Sequence, residues 1–153
     1  MTLEQQLQLI IDDAANYGVP SLVVESAIAP VLKVFAEQLQ HLEYFVLQNL
    51  AEDWVLTTIA NPQLQQSKKV IYGFISVQDA ATFQGTANAD LIAMPIDVVQ
   101  LLFRLFSLQE VDSIIFLENS LNLNHGVEIE RDRLSQLIRQ QIEQLGKIPP
   151  NIA

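Results

Sequence analysis

This sequence has no cysteine and few basic residues. The chain of 153 residues has no Cys, which excludes a disulfide, a thiolate metal site and a cysteine nucleophile. It carries 8 Lys and Arg against 18 Asp and Glu, for a formal net charge of −10 and an isoelectric point near 4.4. Because clustered basic side chains drive binding to phosphates and to anionic lipids, this balance argues against nucleic acid and membrane surfaces as partners.

Glycine is scarce and dispersed. The five glycines stand singly, so no Gly-rich loop can cradle a phosphate, and no GxSxG elbow presents a serine nucleophile. The two histidines, His41 and His125, form no metal-binding motif, and we expect both to be structural. The sequence therefore predicts no catalytic residue, no cofactor and no metal. An enzyme whose scattered carboxylates are brought together only by the fold stays open as an alternative.

The Asn-rich stretch 119–126 resembles a calcium loop, since Ser120, Asn122 and Asn124 carry oxygen ligands of the kind that hard cations bind. An EF-hand needs glycine at its sixth position, and the sixth residue counted from Ser120 is His125. A turn ending at Gly126 accounts for the pattern better, and we expect a turn here.

Composition and length indicate one globular domain, residues 1–153. Hydrophobic residues make up 50% of the chain and charged residues 17%, which argues against disorder. The first eight residues carry Glu4 and no base, unlike a secretory signal. The most apolar region, 91–108, is interrupted by Pro95, Asp97 and Arg104, unlike a membrane span. We expect a cytoplasmic protein.

Two helical regions are predicted at the N-terminus. Thr2 and Gln5 have the spacing of a capping box, and the apolar residues that follow recur at helical spacing up to Gly18. A second region runs from about 21 to 42, and Pro30 should divide it into two pieces.

The rest of the chain alternates between strands and helices. Short β-branched and aromatic runs predict strands at 43–48, 54–59, 70–75, 91–94 and 113–117, with a short edge strand at 127–129. The first two should form a hairpin, and the third should be central because both of its faces are apolar. Helices are predicted at 76–83, at 98–108 with Asp97 and Gln100 as its cap, and after 129. This order predicts an α+β fold: a mixed, largely antiparallel sheet of five or six strands with helices packed on it and an N-terminal helical pair.

Residues 54 to about 138 resemble the N-terminal domain of SseB-like proteins. The resemblance rests on the runs WVLTTIANP, VIYGFIS and VQDAATF, a strand ending in Met94-Pro95, the helix DVVQLLFRLF and the strand VDSIIFLEN. It implies a role in regulation and protein interaction, and it implies no catalytic residue. The whole chain is also loosely similar to small cyanobacterial chaperones that help to assemble the β-carboxysome shell, although no motif carries that similarity.

The predicted helix 98–108 is apolar almost all round. A helix of this kind is either enclosed in a core or presents part of its surface to a partner. One broad face carries four apolar residues, and Arg104 lies beside it, where an arginine could anchor a contact. The candidate partner-binding residues are Val99, Leu102, Phe103, Arg104 and Phe106. The competing hypothesis is that the two N-terminal helices cover this face.

Negative charge is concentrated in the first part of the chain. Residues 1–67 hold 8 acidic residues and one base, Lys33, and the remainder holds 10 acidic and 7 basic residues. This asymmetry could steer a basic peptide or protein towards the domain, or it could serve solubility alone.

The sequence therefore predicts a non-catalytic domain that binds another protein or peptide, as an assembly chaperone or a regulatory adaptor. Two modes of binding are open, an apolar helix surface and strand addition at a sheet edge. The alternative is a homodimer with no foreign partner.

Overall fold

A computed structural model describes residues 1–84, 90–120 and 126–146. The helices are α1 (Leu3–Asp12), α2 (Ser21–Val23), α3 (Ala29–Glu37), α4 (Val77–Gln84), α5 (Val98–Ser107) and α6 (Arg131–Gly146). The strands are β1 (Glu43–Gln48), β2 (Thr57–Asn61), β3 (Gln66–Phe74), β4 (Ile92–Asp97), β5 (Ser113–Leu117) and β6 (Val127–Glu130). A 3₁₀ turn (Ala14–Tyr17) follows α1, and a π-helical turn (Val24–Ile28) joins α2 to α3. The Asn-rich stretch 119–126 was predicted to be a turn, and its residues Asn122, Asn124 and His125 lie outside the described residues.

The six strands form one mixed sheet in the order β4-β1-β3-β5-β6, with β2 paired to β3 beside this path. β3 and β5 are parallel, in a register that pairs Ile71 with Ile114, and the other pairs are antiparallel. The predicted α+β class, mixed sheet and N-terminal helices are confirmed. β3 is central, as its doubly apolar pattern indicated, because it pairs with three other strands.

The predicted hairpin is only partly correct. Gln48 and Trp54 form a single antiparallel bridge, but β2 begins at Thr57 and pairs with β3, with Thr57 opposite Val70. The turn of the actual hairpin is at Asn61, whose Oδ1 accepts a hydrogen bond from the backbone of Leu64 at 3.3 Å. The polar segment between the strands predicted at 54–59 and 70–75 was expected to be a loop, but its residues 66–69 form the first part of β3.

The helical region after Pro20 contains two α-helices, as predicted, but a π-helical turn before Pro30 joins them without a break. Proline has no N–H, and its ring clashes with the carbonyl four residues earlier. The chain accommodates Pro30 by widening the preceding turn, so that the N–H of Ala29 bonds to the carbonyl of Val24, five residues back. The predicted capping box of α1 is confirmed, with Thr2 and Gln5 bonded reciprocally at 3.1 and 2.8 Å.

The main core lies between one face of the sheet and the helices. Tyr44, Ile114 and Phe116 on this face are fully buried and pack with residues of α1, α3, α5 and α6 in one cluster. The opposite face has a smaller cluster, in which Phe74 and Leu117 pack on Ala80 of α4. The two faces of the sheet are therefore covered to different extents. The N-terminal helices all lie on the face that carries the main core.

A hydrogen-bonded junction connects the segment before β1 to the end of β5. The Tyr44 hydroxyl donates to the Glu118 carboxylate, which also accepts from the backbone of Gln40 at 2.8 Å. Burial, together with the Glu118 carboxylate, raises the pKa of Tyr44 well above its ordinary value, so the phenol stays a donor. The His41 ring packs edge-on against the Tyr44 ring.

Gln6 joins α1 to the start of α5. Its Nε2 donates to the carbonyl of Leu42 at 2.9 Å, and its Oε1 accepts from the backbone N–H of Val99 at 3.1 Å. Asp97 is the N-cap residue of α5, but its side chain makes no capping hydrogen bond, so the cap that we predicted from Asp97 and Gln100 is wrong. The buried amide of Gln6 supplies the acceptor instead, because it sits directly against the first turn of α5.

We expect Gln6→Ala to lower the free energy of unfolding by about 1–3 kcal/mol, because it leaves the buried backbone N–H of Val99 without a partner and removes one of the two donors to the Leu42 carbonyl. Urea denaturation followed by circular dichroism measures the change. Gln8→Ala is the matched control: it is exposed on the same helix and bonds only to Asp12, so its effect should stay within about 0.5 kcal/mol. Equal effects of the two substitutions would show that the junction through Gln6 contributes nothing.

Candidate protein-binding site

The first half of α5 is buried. Val99 and Leu102, both expected on a partner-binding surface, are 1% and 0% exposed. The expectation of exposure was wrong for these two residues, because α1 and α3 cover the side of α5 that the sheet does not. It was wrong for Phe103 as well, which is 4% exposed. Coverage by the N-terminal helices is the competing hypothesis of the sequence analysis, and it holds for this half of the helix.

The second half of α5 borders a pocket of about 490 Å³. The other three predicted residues lie together here: Phe103 is buried at its base, while Arg104 and Phe106 are half-buried along its wall. The pocket, called the α5 pocket below, is lined by Tyr17, Val19, Gln100, Phe103, Arg104, Phe106 and Ser107.

The opposite wall of the α5 pocket comes from the 3₁₀ turn. Gly18 ends this turn with φ 72°, a left-handed conformation that glycine adopts without strain. The chain thereby turns back, so that the Tyr17 ring lies 4.9 Å from the Phe103 ring, centre to centre. Sequence reasoning missed Tyr17 and Val19. An aromatic residue directly before a helix-ending glycine was the available signal, but nothing in the pattern placed it against α5.

Arg104 lies over the single tryptophan of the chain. Its guanidinium carbon is 3.9 Å from the centre of the Trp54 ring, and Trp54 is 8% exposed. Burial lowers the pKa of Arg104, and the nearby Tyr17 and Asp53 oppose that shift. Within the described residues, Arg104 has no salt bridge and the buried Nε1 of Trp54 has no hydrogen-bond partner. The guanidinium is held by stacking and keeps donors to offer to a ligand.

A smaller cavity of about 90 Å³ adjoins the α5 pocket and shares Tyr17 and Gln100 with it. Asp13 and Asp97 bring two carboxylates to this cavity. The two cavities together form a groove along α5, called the α5 groove below. It has acidic residues at one end, aromatic residues in the middle and Arg104 towards the other end.

Other surfaces offer less. A cavity of about 700 Å³ is lined only by residues of the β2–β3 hairpin, so no second element closes it. At the β4 edge Pro95 cannot donate to an added strand, and β6 is a four-residue edge carrying Glu128 and Glu130. Both features disfavour strand addition.

The described ranges give two further findings. No three His, Cys, Asp or Glu side chains of residues 1–84, 90–120 and 126–146 lie close enough together to hold a metal ion. No helix in these ranges combines the length and the apolar character needed to cross a bilayer.

No protein-family model matches the chain, and no curated protein sequence matches it significantly. The resemblance to SseB-like proteins stays a prediction.

We expect Arg104→Ala to shift the emission maximum of Trp54 to longer wavelength, because the indole loses the guanidinium that covers it. The loss of stability should be about 0.5–2 kcal/mol, the range of a cation–π contact. Fluorescence spectra and urea denaturation measure both effects. The control is Arg139→Ala, an exposed position on α6 with the same change of charge. An unchanged Arg104→Ala spectrum would contradict the stacked geometry.

Proposed function

We propose that the protein is a non-catalytic binding domain that holds an apolar side chain of another protein or peptide in the α5 pocket. The observation that carries the proposal is the composition of this pocket. Aromatic residues and a partly desolvated arginine, Arg104, line this pocket, whose volume is about 490 Å³. Side chains of these types concentrate binding energy at protein interfaces, most of all where they are already shielded from water.

The pocket suits an assembly chaperone or a regulatory adaptor. Such a protein covers an apolar segment of its client and releases it later, which requires a small site and moderate affinity. The resemblance to SseB-like proteins supports the adaptor version, and the looser similarity to chaperones of β-carboxysome shell assembly supports the chaperone version. The lack of cysteine is compatible with a cytoplasmic location, which we retain as part of the proposal.

A homodimer is the second candidate, and exposed apolar residues near the same surface favour it. Leu9 and Tyr17, which line the cavities along α5, are 45% and 43% exposed. A second copy could cover these side chains and occupy the α5 pocket. Light scattering on the purified protein distinguishes the two candidates, because a tight dimer whose interface includes Tyr17 would leave the pocket closed to foreign partners.

A random-peptide library displayed on phage, panned against the purified protein, tests the proposal. We expect enrichment of peptides with an aromatic or branched aliphatic residue. Phe106→Asp should weaken the binding of these peptides about tenfold or more, because it places a charge in the wall of an apolar pocket. Calorimetric titration of the enriched peptides gives the affinities, and circular dichroism confirms that the variant is folded.

Leu64→Asp is the matched control, since Leu64 is an exposed apolar residue at the tip of the β2–β3 hairpin, away from the α5 pocket. Phe103→Asp is unsuitable as a test, because Phe103 is only 4% exposed and its substitution should unfold the protein. If no peptide is enriched, or if Phe106→Asp binds the enriched peptides as well as the parent does, the proposed function is wrong.

A further inference from the structure

The polar residues of α5 form one seam along the α5 groove. Asp97, Gln100, Arg104 and Ser107 follow each other at spacings of three, four and three residues, which places them on one side of the helix. All four border the two cavities of the groove. Seven residues separate Asp97 from Arg104, a rise of about 10 Å along the helix axis. Opposite charges therefore lie at a fixed separation beside the aromatic wall.

The protein itself leaves these charges available. In the described part of the chain, neither Asp97 nor Asp13 forms a salt bridge or a side-chain hydrogen bond. Arg104 stacks on Trp54 and has no salt bridge there either, although Asp53 is near enough to raise its pKa. A charge that lies beside an apolar cavity without an internal partner gains most when a ligand supplies the opposite charge.

We infer that the α5 groove selects a peptide segment in which a basic residue and an acidic residue lie on either side of an apolar anchor. The basic and the acidic residue are about three positions apart in the peptide. The inference rests on the proposed function and specifies its partner. Asp13 and Asp97 bind the basic residue, the α5 pocket takes the anchor, and Arg104 binds the carboxylate. The spacing follows from the rise of about 10 Å on α5, since an extended peptide advances about 3.3 Å per residue.

The net charge of the protein favours one orientation of the peptide in the α5 groove. A surface with a net charge of −10 repels a carboxylate almost everywhere, and Arg104 is the place in the α5 groove where the repulsion is reversed. A basic residue, by contrast, is attracted along the whole acidic surface. The carboxylate therefore fixes the register and orientation of the segment, while the basic residue contributes mainly to the rate of association.

A charge-coupling measurement tests the inference. Peptides enriched by panning on the parent protein are resynthesised with their Asp or Glu changed to the amide. We expect this change to weaken binding to the parent protein about tenfold, as for a charge-assisted hydrogen-bonded pair. The same change should have little effect on binding to Arg104→Gln, in which the guanidinium is already missing. Arg139→Gln is the control for the loss of one positive charge and should behave as the parent does.

Panning repeated on Arg104→Glu gives a second readout. There we expect a basic residue in place of the carboxylate, at the same distance from the anchor. Enriched peptides that carry the apolar anchor without a charge preference, or an amide change that weakens binding equally to the parent and to Arg104→Gln, would overturn the inference and leave the proposed function standing. Failure to enrich any apolar peptide would overturn the proposed function itself.

Discussion

The buried amide of Gln6 fixes the position on which the rest of this structure depends. It bonds at once to the Leu42 carbonyl, just before β1, and to the first turn of α5. Val98 donates to the same Leu42 carbonyl, so α1, the entry to the sheet and the start of α5 meet at one point. Neutral hydrogen bonds of this kind add little net energy when formed and cost much more when one partner is removed from a buried site. The junction therefore specifies how α1 lies against α5 more than it adds to stability.

From that junction the two helices define what is core and what is surface. α1 covers the N-terminal half of α5, and the chain leaves α1 through the 3₁₀ turn before it can follow α5 any further. Tyr17 is thus placed opposite Phe103, and the C-terminal half of α5 is left partly open. α1 ends at Asp12, so the residues that face the C-terminal half of α5 across the α5 pocket belong to the 3₁₀ turn and the residues after it.

Sequence patterns predicted the elements well and their contacts less well. β1 and β5 lie where their β-branched and aromatic runs indicated, because these signals depend on a few neighbouring residues. The pairing of β2 with β3 depended on the turn at Asn61, and our prediction assigned the polar residues after it to a loop. The cap of α5 was unpredictable locally, since Gln6 is 93 residues away from Val99. For the same reason the sequence suggested Phe103, Arg104 and Phe106 but not Tyr17, the residue that turns a helix face into a pocket.

The placement of Arg104 decides between two explanations of the charges on α5. An acidic residue at the N-terminus of a helix and a basic one in its last turn compensate the helix dipole, which is worth about 0.3–1 kcal/mol for exposed side chains. Compensation of the helix dipole explains why Asp97 is acidic and Arg104 is basic. An arginine that is fully exposed to solvent would give the same compensation. Compensation does not explain why the guanidinium is half-buried on Trp54, where burial lowers its pKa and disfavours its charge. Desolvation of this kind takes away part of the free energy that stacking on Trp54 gains, and it strengthens any contact with a carboxylate that enters the pocket, which supports the proposed binding role.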